Sequence, residues 1–216
     1  MSSLKTIEDK LSEGRQYRNI DVSSFERRAD DSGERIVEGY ATIFNQPYEL
    51  YSLDGYTIME QVDARAFDEC DMSDVIMQYN HEGRVFARTS NGTLELAADE
   101  TGLHIRARLD GTDLGRDVYE EIEGGYTTKM SFGFKVSEDT REVTEDHEAN
   151  TVTVLRTITK ISKLFDVSAV SLPANDATSI SARSYADGVI DALKQERLAA
   201  EKRERQKTII KILCEV

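Results

Sequence analysis

Between Ile36 and Val170 apolar residues return at every second position, in runs separated by polar turns. This period is the strongest constraint on the fold. Successive strand residues point to opposite faces, so a period of two buries one face of a sheet and would scatter around a helix. The clearest case is TLELAADETGLHIRARL, where Leu94 and Leu96 alternate inward, DETG supplies a turn, and Leu103, Ile105, Ala107 and Leu109 line one face. That pattern predicts a hairpin. IVEGYATIF, from Ile36 to Phe44, predicts another strand, with Gly39 marking a bulge or bend. FKVSEDTREVTEDHEANTVTVLRTITKI gives two extended runs around the polar turn EDHEAN. KLFDVSAVSLPAN closes the series, with Leu164, Asp166, Ser168 and Val170 on one alternating track and Pro173 as its stop.

Helical patterns are fewer. DGTDLGRDVYEEIEGGY predicts a helix capped by Thr112 or Asp113 and closed by Gly124 and Gly125. A second, short helix is expected around ARAFDECDMSD. From Tyr185 onward the chain has no proline and is rich in Ala, Leu, Glu, Lys and Arg, which predicts one long helix. The segment TIEDKLSEGRQ reads as a short helix or as disordered chain. Three zones follow: a polar N-terminal segment at 1–20, a β-domain at 21–184 and a helical tail at 185–216. About seven strands joined by short polar turns predict a mainly β (α+β) fold, a closed or nearly closed antiparallel β-barrel with surrounding helices and a C-terminal helix. A sandwich is the alternative.

The chain has 216 residues, enough for one large domain with appendages and for a core without a disulfide or metal staple. Its formal net charge of −14 repels phosphates, which argues against direct binding of DNA or RNA. No apolar run approaches the roughly 18 residues of a membrane span, and MSSLKTIEDKLSEG lacks the apolar core of a secretory signal. Cys70 and Cys214 lie far apart, with no CxxC or His-rich spacing, so reduced thiols in a cytosolic compartment are expected and a metal or cofactor is not.

The stretch YTTKMSFGFKV, Tyr126 to Val136, sets Ser131 between Met130 and Phe132 at the start of an apolar strand. A hydroxyl there needs a partner. Ser131 is either a strand serine bonded to a neighbouring carbonyl, with Gly133 as a bulge, or a nucleophile with Gly133 leaving room for a substrate oxyanion. A nucleophilic serine needs a general base within about 3 Å, and the base needs an orienting acceptor. His104 lies on the polar face of LHIRARL and His147 in the acidic turn EDHEAN. His81 follows the apolar VIMQYN and opens HEGRVFART, which puts it at the mouth of a buried strand, in a structural role or facing a cleft. Asp166 is the leading acceptor, because a carboxylate amid Leu, Phe and Val is costly to bury without partners. Asp139, Glu138 and Glu82 are weaker candidates in charged turns. The run is not a GxSxG elbow, which excludes the α/β-hydrolase pattern.

Taken in order, GYATIF, YNHEGRVFART, LELAADETGLHIRARL, DLGRDVYEEIEGGYTTKMSFGF and LFDVSAVSLPANDAT resemble the prohead maturation serine proteases of tailed phages, related in fold to the herpesvirus assemblins. The similarity covers roughly residues 36 to 183. It implies a serine endopeptidase on a β-barrel, acting without a cofactor inside the assembling prohead in the host cytoplasm. Its implied partners are the major capsid protein, its scaffold region and the protease itself, so that autocleavage and self-association are expected, with neither nucleic acid nor membrane. By the same resemblance His81 matches the general base and Ser131 the nucleophile. Asp166 stands where the family commonly shows Glu, and where the assemblins use a second histidine. DARAF replaces the family's usual Pro-Gly-Ala-Phe stretch, and Glu82 replaces an Asp after the histidine.

Two further readings stay open. A catalytically silent assembly or scaffolding protein could keep the barrel and its residue types without the triad geometry. In the tail, Leu193 to Lys207 holds six basic residues against three acidic ones, either a docking patch for capsid or scaffold or a solvated helix.

Overall fold

The computed structural model describes residues 15–20, 26–28, 34–170 and 180–214. Its strands are β1 (Gln16–Ile20), β2 (Glu26–Arg28), β3 (Ile36–Ile43), β4 (Tyr48–Leu53), β5 (Tyr56–Val62), β6 (Ile76–Tyr79), β7 (Glu82–Arg88), β8 (Leu94–Ala98), β9 (Gly102–Arg108), β10 (Lys129–Asp146) and β11 (Thr151–Val170). Two α-helices accompany them, α1 (Asp113–Glu123) and α2 (Ile180–Cys214). The protein is mainly β, as the two-residue period requires.

The strands form two sheets. The larger runs β1-β10-β11-β5-β4, with β6 on β11 and β7 on β6, and the smaller runs β2-β3-β9-β8. Neither sheet closes on itself among the described residues. Pairing is antiparallel except where β5 and β6 run parallel to β11. The expected count of about seven strands falls short in part because β1 and β2 have five and three residues, too few to display a period.

One apolar core lies between the sheets. Val37, Leu103 and Ile105 from the smaller sheet pack with Met130, Phe132, Phe134, Ile158 and Val167 from the larger. Each large side chain so removed from water contributes about 1.5–3 kcal/mol. A second cluster joins Leu50, Ile58 and Val154 of the larger sheet to Tyr185, Ala186, Val189 and Ile190 of α2. The tail helix is thus anchored by its first turns, while Lys194 to Thr208 is exposed.

Several local expectations need correction. The bulge in β3 falls between Tyr40 and Thr42, and Gly39 pairs regularly with Ile105. Around ARAFDECDMSD the chain makes consecutive turns instead of a helix, because Asp63 accepts from the Arg65 amide and each hydrogen bond spans only three residues. Those turns bury Ala66 and Phe67 in the core. The cap of α1 is Thr112, whose hydroxyl accepts from the Gly115 amide at 2.9 Å. TIEDKLSEGRQ lies outside the described residues except for Arg15 and for Gln16, which opens β1.

Candidate active site

β10 and β11 build the floor of the site. Their register sets Ser131 opposite Ser168 and Gly133 opposite Asp166, and directly paired residues present their side chains on the same face. The intervening Phe132 and Val167 point into the core. A bulge between Gly133 and Phe134 leaves Phe165 without a partner on β10. It reverses the alternation, so Leu164 faces the core while Asp166 and Ser168 face the site. The single track expected for Leu164, Asp166 and Ser168 is therefore broken at Phe165.

His81 arrives on the β6–β7 hairpin. Tyr79 pairs with Glu82, leaving Asn80 and His81 as a two-residue turn with φ of 51° and 61°. Two consecutive positive φ values characterise the type I′ turn, whose twist suits a hairpin. Asparagine tolerates this region, whereas histidine is less usual there. The Asn80 amide donates to the Ala169 carbonyl at 2.9 Å, which ties the turn to β11. From that position the imidazole folds back over the sheet.

The three side chains meet. His81 Nε2 lies 2.5 Å from Ser131 Oγ, and His81 Nδ1 lies 2.5 Å from Asp166 Oδ2. Burial pushes the Asp166 carboxyl upward, but the His81 hydrogen bond and charge, the Arg15 guanidinium and the Ser168 hydroxyl outweigh it and hold the group below the ordinary carboxylate range. An ionised carboxylate only accepts, so Nδ1 carries a hydrogen and, in the neutral ring, Nε2 offers its lone pair to Ser131. Ser131 Oγ also lies 2.9 Å from the Arg18 carbonyl oxygen. Ser131 and Asp166 are fully buried, and the His81 side chain is 16% exposed.

Gly133 flanks a bulge, as one of its two readings expected. A Cβ there would overlap Asp166 Oδ1 and stand 2.8 Å from Arg15 Nε, so the missing side chain makes room for the carboxylate and its cation. Arg15 binds Asp166 Oδ1, the oxygen that His81 leaves free, and lies over Phe165 and Tyr17. Ser168 donates to Asp166 Oδ2 at 2.8 Å. Tyr17 packs on the His81 ring at 4.3 Å between centroids. Sequence reasoning missed the roles of Arg15 and Ser168. Ser168 is detectable as the i+2 neighbour of Asp166, but Arg15 lies in a polar segment without any period.

The other candidates lie elsewhere. His104 packs edge-on against Tyr40, and the His147 side chain is exposed. Asp139 is bound by Arg156 at 2.6 Å, Glu138 stands near Lys160, and Glu82 is exposed at the start of β7. Among the described residues no group of three or more His, Cys, Asp or Glu could hold a metal ion, and no helix is long and apolar enough to cross a membrane.

A mainly β chain in which a serine, a histidine and an aspartate lie within hydrogen-bond reach has the arrangement of side chains that defines the serine-nucleophile class. The sequence makes the class specific: residues 23–189 match the family model of the caudovirus prohead serine protease, and the chain belongs to that family. It is 28% identical over 160 residues to the prohead protease of Enterobacteria phage HK97, an alignment covering 74% of this chain and 64% of that protein. The chain thus spans just under two thirds of that relative. The structure of the bacteriophage T4 capsid assembly protease aligns with a TM-score of 0.44 at 13% identity, over 74% of this chain and 98% of that one.

Proposed function

We propose that the protein is a serine endopeptidase that cleaves capsid or scaffold protein, and its own chain, inside the assembling prohead. The observation that carries this reading is the His81 ring, 2.5 Å from Ser131 Oγ on one side and 2.5 Å from the Asp166 carboxylate on the other. Membership of the prohead protease family and the relatives' names support the capsid substrate. The peptidase unit is taken as residues 21–184, with the two sheets as walls of a nearly closed barrel and 185–216 as a tail whose basic face docks on capsid or scaffold.

The chemistry follows from the geometry. As Ser131 Oγ forms a bond to a peptide carbonyl carbon, His81 Nε2 takes its hydrogen, and the Asp166 anion stabilises the imidazolium. The tetrahedral intermediate collapses when His81 returns that proton to the leaving amine. Water, deprotonated by the same nitrogen, then releases the acyl group and restores Ser131. Ser168 holds the carboxylate so that one oxygen stays aimed at Nδ1.

A fluorophosphonate that reacts with activated serines tests the reading. The adduct is expected on Ser131, with its formation slowed by a factor of about 10³ or more in His81→Ala. A chain that acquires no label at Ser131, either as wild type or as Arg18→Ala, would be a silent assembly protein on the same scaffold.

A further inference from the structure

β1 sits where a substrate strand would sit. It is the edge strand of the larger sheet and runs antiparallel to β10, from Gln16 opposite Phe134 to Ile20 opposite Met130, so it passes on both sides of Ser131. Ser131 Oγ lies 2.9 Å from a peptide carbonyl oxygen in this strand, that of Arg18. Tyr17 covers the His81 ring, and Ser131 is fully buried. No substrate carbonyl reaches the hydroxyl while β1 is in place. β1 also lies outside residues 23–189, the part of the chain that matches the family.

The side chain of Arg18 shows what the site selects. Its guanidinium is 1% exposed on the opposite face of the sheet. Nε lies 2.5 Å from Glu60 Oε1 and Nη2 3.0 Å from Glu60 Oε2, a two-pronged match that an ammonium cannot make. The Phe134 ring and Arg156, which binds Glu60 Oε2 at 2.7 Å, complete the pocket, and Gln16 of β1 itself accepts from Arg18 Nη2.

We propose that the β10 edge from Met130 to Phe134 binds an extended polypeptide whose arginine enters the Glu60 pocket and presents its carbonyl to Ser131, and that β1 is the chain's own inhibitory occupant of that site. This rests on Ser131 being the nucleophile. A strand added to a sheet edge gains affinity from backbone hydrogen bonds and selectivity from alternate side chains, and β1 uses both. It disarms the site as well as covering it. A serine has one hydrogen, and the Arg18 carbonyl, 2.9 Å from Oγ, competes for it with His81 Nε2. Oγ stands 2.9 Å from the carbonyl oxygen of Arg18, the atom that nucleophilic attack does not address, so β1 rests there uncut. Displacing β1 also withdraws Arg15 from Asp166.

The test uses the full chain and its Arg18→Ala variant. Fluorophosphonate labelling of Ser131 is expected to be at least about tenfold faster in Arg18→Ala than in wild type. A fluorescein-tagged hexapeptide of residues 15–20 should bind the variant by anisotropy, bind wild type more weakly, and slow labelling of the variant again. Replacing the arginine at its fourth position by lysine should weaken binding about tenfold. Equal labelling rates in both proteins, with no peptide bound to the variant, would overturn the proposal. Peptide binding without labelling of either protein would keep the strand site and end the nucleophile reading. If circular dichroism shows Arg18→Ala unfolded, Arg18→Lys takes its place. Faster labelling than wild type then supports the proposal, and an equal rate refutes it.

Discussion

Gly133 and Asp166 face each other across the β10–β11 ladder, and the carboxylate of the second occupies the volume that a side chain on the first would need. The same bulge that follows Gly133 turns Asp166 out of the core and toward His81. The bulge and the glycine together therefore hold the acceptor in place.

Gly133→Ala should show this directly. The added methyl has to move a carboxylate already fixed by His81, Arg15 and Ser168. Overpacking of this kind costs about 1–3 kcal/mol, and a displacement near 1 Å at a reacting group costs about a hundredfold in rate. Thermal unfolding and Ser131 labelling would measure the two effects, with the loss of labelling the larger.

Asp166→Asn keeps the volume and removes the charge. The amide can donate to Nδ1 and hold the ring in the tautomer whose Nε2 bears the hydrogen, which cannot accept from Ser131. Turnover should fall by roughly 10⁴ with the unfolding temperature little changed. An activity equal to wild type would move the orienting role to another residue.

The turn that carries His81 is also testable. Asn80 has φ of 51°, which glycine adopts freely and a β-branched residue does not. Asn80→Gly should retain labelling of Ser131. Asn80→Val should lose about 1–2 kcal/mol of stability and most of the labelling, since the strain is relieved by moving His81.

A separate pH dependence comes from Glu60, fully buried between Arg18 and Arg156. Burial pushes its carboxyl up, but the two guanidinium charges and the hydrogen bonds from Arg18 and Tyr48 bring it from 4.5 down to about 2. A carboxyl lowered by folding contributes stability that is fully present above its unfolded value and is lost as pH falls toward the folded one. The window therefore runs from about pH 4.5 to about pH 2, and the contribution is on the order of 3 kcal/mol. In urea unfolding, the stability gap between wild type and Glu60→Gln should be widest near pH 7 and should narrow below pH 4.5. A gap independent of pH would mean that Glu60 is not held ionised by its partners.

The sequence made legible those parts of the fold whose signal is periodic or chemical. The β8–β9 hairpin and the long β10–β11 pair show an alternation long enough to read, and α1 announces its ends through Thr112 and Gly124. Ser131 and Asp166 stand out as polar residues in apolar runs, and His81 as the histidine at the end of one. What stayed hidden depends on pairing at a distance. A parallel partner such as β6 needs no nearby turn, so nothing local marks it. The bulge at Phe165 shifts a face without altering composition, and β1 is polar because Gln16 and Arg18 meet Arg156 and Glu60.

The most direct measurement is the mass of a capsid protein co-expressed with this chain or with its Ser131→Ala variant. The wild-type chain should yield shortened capsid protein, with each product mass locating one cleaved peptide bond. Ser131→Ala, cut by roughly 10⁴–10⁶ in turnover with its fold intact, should leave the capsid protein whole. Shortened products of equal abundance with the variant would contradict the assignment of Ser131 and with it the proposed peptidase.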